Sequence, residues 1–210
     1  MRIFLVRHGE SELSAGVSQV VDCSLTARGR RQSQAVGRLL APWCLTRILT
    51  SPYRRCLETA REISGATGAP HDLHEHHHEA FCAGAWPLPT KSELVRTWPE
   101  VTFPGEMPEQ RWAAVPEDRQ GQWTRICRVL RELLGRFHAD PDATIALVTH
   151  QAPASVFVQA FCQWSNPLNV RVHIDQASVT TLDIDRTDRR HLVCLNAQPH
   201  APETGADRLS

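Results

Sequence analysis

The sequence has no excess of charge of either sign: 23 Lys and Arg stand against 23 Asp and Glu in 210 residues. That balance argues against a general nucleic-acid or membrane surface. Lysine is almost missing, since Lys91 is the only one. The basic set is therefore arginine, the side chain suited to planar, bidentate recognition of phosphate and carboxylate. A GC-rich genome gives the same bias, and composition accounts for the bulk of these arginines. No CxxC pair occurs among Cys23, Cys44, Cys56, Cys82, Cys127, Cys162 and Cys194. Scattered and odd in number, they fit reduced thiols in the cytoplasm better than a disulfide framework. No apolar run approaches the roughly 20 residues that span a bilayer, and Met1 leads directly into a strand, so neither a transmembrane helix nor a signal peptide is expected. Walker loops, GxSxG and GxGxxG are absent too, which removes the commonest nucleotide-binding and serine-hydrolase readings.

What is present is a repeated pattern. The run Ile3-Phe-Leu-Val-Arg-His8 and the run Ile145-Ala-Leu-Val-Thr-His150 both read I-x-L-V-x-H. Two strands of buried type, each ending in a histidine, imply one site at the carboxyl edge of a sheet, where open α/β sheets bind ligands. Between and after them, strand and helix patterns alternate. Strands are expected at Arg2–Val6, Arg47–Thr50, Thr144–Thr149, Ser178–Ile184 and His191–Asn196, the last two forming a hairpin across Asp185–Arg190. Helices are expected from an N-cap at Thr26 to Leu40, with Ala35, Val36, Leu39 and Leu40 inward. A second begins at Ser51-Pro52 as N-cap and N1, a third covers Gln122–His138, and a fourth Pro153–Trp164. This order predicts an α/β domain, with helices on both faces of the sheet. From about 76 to 117 the pattern weakens among Pro87, Pro89, Pro99, Pro104, Pro108 and Pro116 and the tryptophans Trp86, Trp98 and Trp112. That stretch is too long for a plain loop and reads as a proline-rich cap insertion. One domain over 1–197 and a disordered tail over 198–210 are the expectation.

Four pieces carry chemistry. In Arg7-His8-Gly9-Glu10, a histidine able to act as nucleophile or base follows a fixed cation, and Gly9 lets the chain turn sharply. In Ser51-Pro-Tyr-Arg-Arg-Cys-Leu-Glu-Thr-Ala60, Arg54 and Arg55 fall in a helix's first turn. Cations there oppose the helix dipole by roughly 0.3–1 kcal/mol each, a conflict that a bound anion removes. His71-Asp-Leu-His-Glu-His-His-His-Glu79 invites a metal, but consecutive residues of an extended chain point apart; a single carboxylic acid from it, Glu75 or Glu79, is the better reading. Thr149-His150-Gln151 presents a ring and free amides at a helix start. Together they fit phosphoryl transfer through a phosphohistidine, with arginines neutralising the equatorial oxygens.

These residues resemble the histidine phosphatase superfamily, which includes cofactor-dependent phosphoglycerate mutase. Its R-H-G-[EQ] signature stands as Arg7-His8-Gly9-Glu10, its D-x-x-L-T-x-x-G element as Asp22 to Gly29, and its S-x-x-x-R-x-x-x-T-A element as Ser51 to Ala60. Its L-x-E acid element stands as Leu73-His-Glu75, and its second histidine as His150. The resemblance implies a three-layer α/β/α fold with a mainly parallel central sheet and an antiparallel edge strand. It implies His8 as the phosphorylated nucleophile, Arg7, Arg55 and His150 as the phosphate pocket, and Glu75 as proton donor, with Glu79 the alternative. Ser14 stands where the family often has an Asn that contacts phosphate, and Gln151 where it often has Gly; both are expected to touch substrate. Ala15–Asp22 lacks the aromatic-rich stretch of the mutases, which favours a phosphatase. The expectation is a cytoplasmic phosphomonoesterase needing neither metal nor cofactor, with a cofactor-dependent phosphoglycerate-type mutase or a weakly active phospho-ligand binding, regulatory protein as the alternatives. It would act on a small phosphorylated metabolite, release inorganic phosphate, and form a homodimer.

Overall fold

The computed structural model describes residues 1–79, 89–104, 109, 117–164 and 169–200, without the side chain of Glu75. Six strands form one sheet: β1 (Arg2–Arg7), β2 (Arg47–Thr50), β3 (His71–Leu73), β4 (Thr144–Thr149), β5 (Val179–Ile184) and β6 (Arg190–Ala197). Their order is β3-β2-β4-β1-β5-β6. The first four in that order pair in parallel, while β5 runs antiparallel to β1 and β6 antiparallel to β5. The sheet is thus mainly parallel with an antiparallel edge, as the sequence implied.

The strand β1 alternates strictly, and this alternation builds the three layers. Ile3 and Leu5 join a core with Ile145, Leu147, Ile126, Leu133, Phe157 and Phe161. Those partners lie under α4 (Arg119–Phe137) and α5 (Gln151–Phe161). Phe4 and Val6 point the other way, into a core with Val36, Leu40, Cys56, Ala60 and Ile63. Those belong to α1 (Ala27–Leu40) and α2 (Arg54–Thr67). At roughly 1.5–3 kcal/mol for each large side chain removed from water, the two faces stabilise the sheet from both sides. A third cluster, Leu57, Leu73, Leu94, Trp98 and Val101, ties the short helix α3 (Lys91–Thr97) to α2 and β3. Within the expected cap, this is what the described residues show; Trp86, Pro87, Pro108, Arg111, Trp112 and Pro116 lie outside them, as does most of the expected tail, 201–210.

Several expected boundaries move. Thr26 does cap α1, accepting the Gly29 N–H. Leu39 is exposed, however, because the stripe of Ala35, Val36 and Leu40 already fills the contact with the sheet. The α2 helix starts at Arg54 with Tyr53 as N-cap, two residues later than Ser51-Pro52 suggested, because the Ser51 hydroxyl is engaged with His150 instead. The α5 helix runs Gln151–Phe161, earlier at both ends than Pro153–Trp164. Pro153 is its third residue, and proline needs no N–H there. The strand β3 and helix α3 carried too little periodicity to be read in advance.

Candidate active site

The two I-x-L-V-x-H units are direct neighbours in the sheet and in register: Ile3 pairs with Ile145, Leu5 with Leu147 and Arg7 with Thr149. The repeat therefore delivers its two histidines side by side. The His8 N–H donates to the Thr149 carbonyl at 2.9 Å, and the two imidazoles stand 5.2 Å apart at 64°. Both are buried, His150 completely.

The chain leaves β1 through Gly9 under tight constraint. A Cβ on Gly9 would lie 2.5 Å from the Gly29 carbonyl oxygen, and one on Gly29 2.0 Å from the Glu10 carbonyl oxygen. The loop after His8 is thus pressed against the first turn of α1, where side chains would force the backbones apart. Thr59 holds the same loop, accepting the Gly9 N–H at 3.2 Å.

His8 has its tautomer fixed by its partners. Its Nδ1 lies 2.7 Å from the Gly9 carbonyl oxygen, which can only accept, so Nδ1 carries the proton. The Arg55 Nε donates to Nε2 at 3.3 Å, so Nε2 keeps its lone pair and faces a guanidinium. Burial, then Arg55 and Arg7, push the His8 pKa well below its ordinary value, and the ring is neutral at pH 7.

Arg55 is the buried member of the arginine pair. It donates to the Val21 carbonyl at 2.7 Å and packs over the Tyr53 ring, while Arg54 is exposed and uses its backbone N–H to bond Asp22 at 2.6 Å. Arg7 donates through Nη1 to the Ile174 carbonyl at 2.8 Å and to Gln151 Oε1 at 3.3 Å. Gln151 also accepts the Ile174 N–H and donates to the Val172 carbonyl, so it orients Arg7. The Arg7 Nε is buried without an acceptor among the described residues. Burial lowers the Arg7 pKa, with Glu79 and Asp175 opposing that shift.

His150 is surrounded more closely than its sequence context suggested. Its Nε2 lies 2.8 Å from Ser51 Oγ and 3.5 Å from Cys56 Sγ, and the Tyr53 ring stands edge-on at 5.2 Å. Its Nδ1 is 4.0 Å from Glu79 Oε2. Burial, then Arg55 and His8, push its pKa well below the ordinary value.

The segment leading to Glu79 is hung between two supports. Thr149 Oγ1 donates to the His77 carbonyl at 3.0 Å. Arg125 of α4 donates to the carbonyls of His76 and His78 and pairs with Glu117. Glu79 thereby reaches His150. Glu75 sits in a 3-10 turn, Glu75–His77, and its carboxylate lies outside the described residues. Ser14 bonds Ser11 and accepts from Gln176 at 2.7 Å; no bond joins it to His8, Arg7 or Arg55. Among the described residues no group of three His, Cys, Asp or Glu is placed to hold a metal ion.

Ser51, expected as a helix cap, instead meets His150, as do Tyr53 and Cys56. The S-x-x-x-R spacing was the available signal for Ser51; Cys56 gave none.

A sheet edge bearing two neutral imidazoles, two guanidiniums and a carboxylate is the kind of site that transfers phosphoryl groups. A model of the histidine phosphatase superfamily (branch 1) matches residues 3–198, and the chain belongs to that superfamily. Among solved structures, it is similar to a mycobacterial glucosyl-3-phosphoglycerate phosphatase in complex with VO3. The TM-score is 0.69 at 22% identity, covering 93% of this chain and 99% of that one. It is also similar to phosphoserine phosphatase from Entamoeba histolytica in complex with 3-phosphoglyceric acid, with a TM-score of 0.65 at 21% identity, over 93% and 96% of the two chains. Curated relatives include a probable phosphoglycerate mutase GpmB from Yersinia enterocolitica, 37% identical over 70 residues. That match spans 32% of this chain and about a third (33%) of the relative's length. No helix among the described residues is long and apolar enough to cross a membrane.

Proposed function

We propose that the protein is a phosphomonoesterase that hydrolyses a small phosphorylated metabolite through a phosphohistidine on His8. The observation that carries this reading is the Nε2 lone pair of His8, which accepts the Arg55 Nε–H; a bound phosphate would take over that N–H and leave the lone pair facing phosphorus. Arg7 also has a buried Nε without an acceptor among the described residues, and the His150 ring stands 5.2 Å from that of His8; in this reading both serve a phosphate bound there. In this scheme Nε2 attacks phosphorus in line, forming the N–P bond as the ester P–O bond breaks. The leaving oxygen takes a proton from a carboxylic acid. Water, losing its proton to the same carboxylate, then attacks phosphorus, and the N–P bond breaks to release phosphate and neutral His8. The scheme calls on no metal and no cofactor.

The test offers phosphomonoesters with and without a sugar-acid acceptor, in the presence of a chelator. Inorganic phosphate released at an undiminished rate supports the phosphatase. Transfer to the acceptor in preference to water supports the mutase reading that the partial match to GpmB favours. Loss of turnover with chelator sinks the metal-free scheme.

Glu79 is the better candidate for the acid, because its carboxylate reaches His150. Glu79→Gln is expected to lower kcat on alkyl phosphates about 100-fold. The burst of p-nitrophenol from p-nitrophenyl phosphate, whose leaving group needs no proton, should slow much less, while its steady turnover still needs the carboxylate as base. If Glu75→Gln is the more damaging of the two on alkyl phosphates, the acid is Glu75.

A further inference from the structure

We infer that Ser51 is a positioning residue that sets the tautomer of His150, so that the one N–H of this neutral ring faces the phosphate pocket through Nδ1. The inference rests on the phosphoryl-transfer reading above. A neutral imidazole has a single donor, and which nitrogen carries it is decided by what the other nitrogen meets. Ser51 and His150 are both fully buried, so water cannot satisfy either. Ser51 Oγ accepts from the Tyr53 N–H at 3.5 Å and lies 2.8 Å from His150 Nε2. Its rotatable O–H can then be directed at Nε2, and in the proposed arrangement Nε2 accepts. The neighbouring thiol does not compete for that role: Cys56 Sγ is 3.6 Å from the Thr149 carbonyl, the acceptor its S–H can use. Burial pushes the thiol pKa up to about 12, so it keeps its proton. With Nε2 accepting, the proton sits on Nδ1, the atom 4.0 Å from Glu79.

The opposite tautomer would present a lone pair to the pocket. That lone pair would face the oxygens of a bound phosphate, which are acceptors. The two histidines then divide the work through the same rule. His8 gives Nδ1–H to a carbonyl and keeps Nε2 as nucleophile. His150 receives a hydroxyl proton at Nε2 and offers Nδ1–H as donor. The repeated strand supplies two identical rings, and their partners, Gly9 and Ser51, make one a nucleophile and the other a donor.

The experiment records two-bond 1H–15N correlations of the imidazoles in the resting protein, in a Cys56→Ala background that removes the thiol as a substitute donor. His150 is expected as the Nδ1–H tautomer. Adding Ser51→Ala should give the Nε2–H form or a mixture. It should also lower kcat on p-nitrophenyl phosphate about 100-fold, the scale of a lost transition-state donor, with KM changed less than about threefold. Ser51→Thr, which keeps the hydroxyl, should restore both the tautomer and kcat. Persistence of the Nδ1–H form in the Ser51→Ala, Cys56→Ala protein overturns the inference. The dispersion of the same spectra reports whether each variant is folded. Absence of any phosphomonoester turnover by the natural protein would remove the functional reading, while the tautomer spectrum still decides the role of Ser51.

Discussion

Replacing His8 with alanine is expected to abolish the phosphoenzyme and to lower turnover of any phosphomonoester by roughly 10^4-fold or more, the scale seen when a covalent nucleophile is deleted. Rapid quench of the natural protein in alkaline detergent with 32P-labelled substrate should trap label on the chain, lost on acid treatment and stable in base, as a phosphoramidate is. The His8→Ala protein should trap none. Its fold should survive, since the ring makes only two side-chain hydrogen bonds among the described residues, to Gly9 and Arg55. Its affinity for inorganic phosphate should persist, because Arg7, Arg55 and His150 remain around the space the ring leaves. Tight phosphate binding without turnover is thus the signature. A His8→Ala protein that keeps full phosphatase activity would show that another group attacks phosphorus.

The route from sequence to site ran through the β1 and β4 strands. Their shared I-x-L-V-x-H spelling is visible on paper, and parallel in-register pairing turns it into adjacent histidines. Arg55 was legible for a different reason: a cation in the first turn of a helix is an electrostatic misfit unless an anion is nearby. Helix position alone left it equivalent to Arg54; the S-x-x-x-R match chose Arg55, and that is the one the structure buries. What could not be read is what depends on contacts between distant segments. Gln151 acts by holding Arg7 to the Ile174 loop. Glu79 reaches His150 because Thr149 and Arg125 fasten the backbone before it. Neither arrangement leaves a periodicity, and in a run with two glutamates the nearer motif match pointed to Glu75. Ser51 was legible as polar and turn-forming, but its partner lies 99 residues away.

The histidine-rich run has a consequence for stability that the catalytic scheme leaves aside. His71, His74, His76, His77 and His78, with His8 and His150, all have pKa values lowered by burial first. His74, His76 and His78 fall to about 4. In the unfolded chain each titrates near its ordinary value, about 6.5. Below that pH the unfolded state therefore binds protons that the folded state refuses, and stability falls with acidification. Above about pH 6.5 the penalty is absent; it grows until the folded groups themselves titrate. For the three almost fully buried rings whose pKa is held well below its ordinary value, His8, His77 and His150, the loss between pH 7 and 5.5 is up to about 1.2 kcal/mol each, or ~4 kcal/mol together. In a chain of this size that lowers Tm by about 7–15 °C. The carboxylates whose pKa is lowered, Glu100, Asp175 and Asp185, hold their charge throughout this window and do not offset it. Thermal melts at the two pH values measure the drop, and a Tm that stays level between them would mean that these rings are not buried in neutral form. Saturating phosphate binds the folded state and should raise Tm at both pH values. His77 is buried with neither ring nitrogen hydrogen-bonded among the described residues. His77→Leu should therefore flatten the pH dependence and raise Tm at pH 5.5 relative to the natural protein, because it removes a buried group that gains a proton only by unfolding.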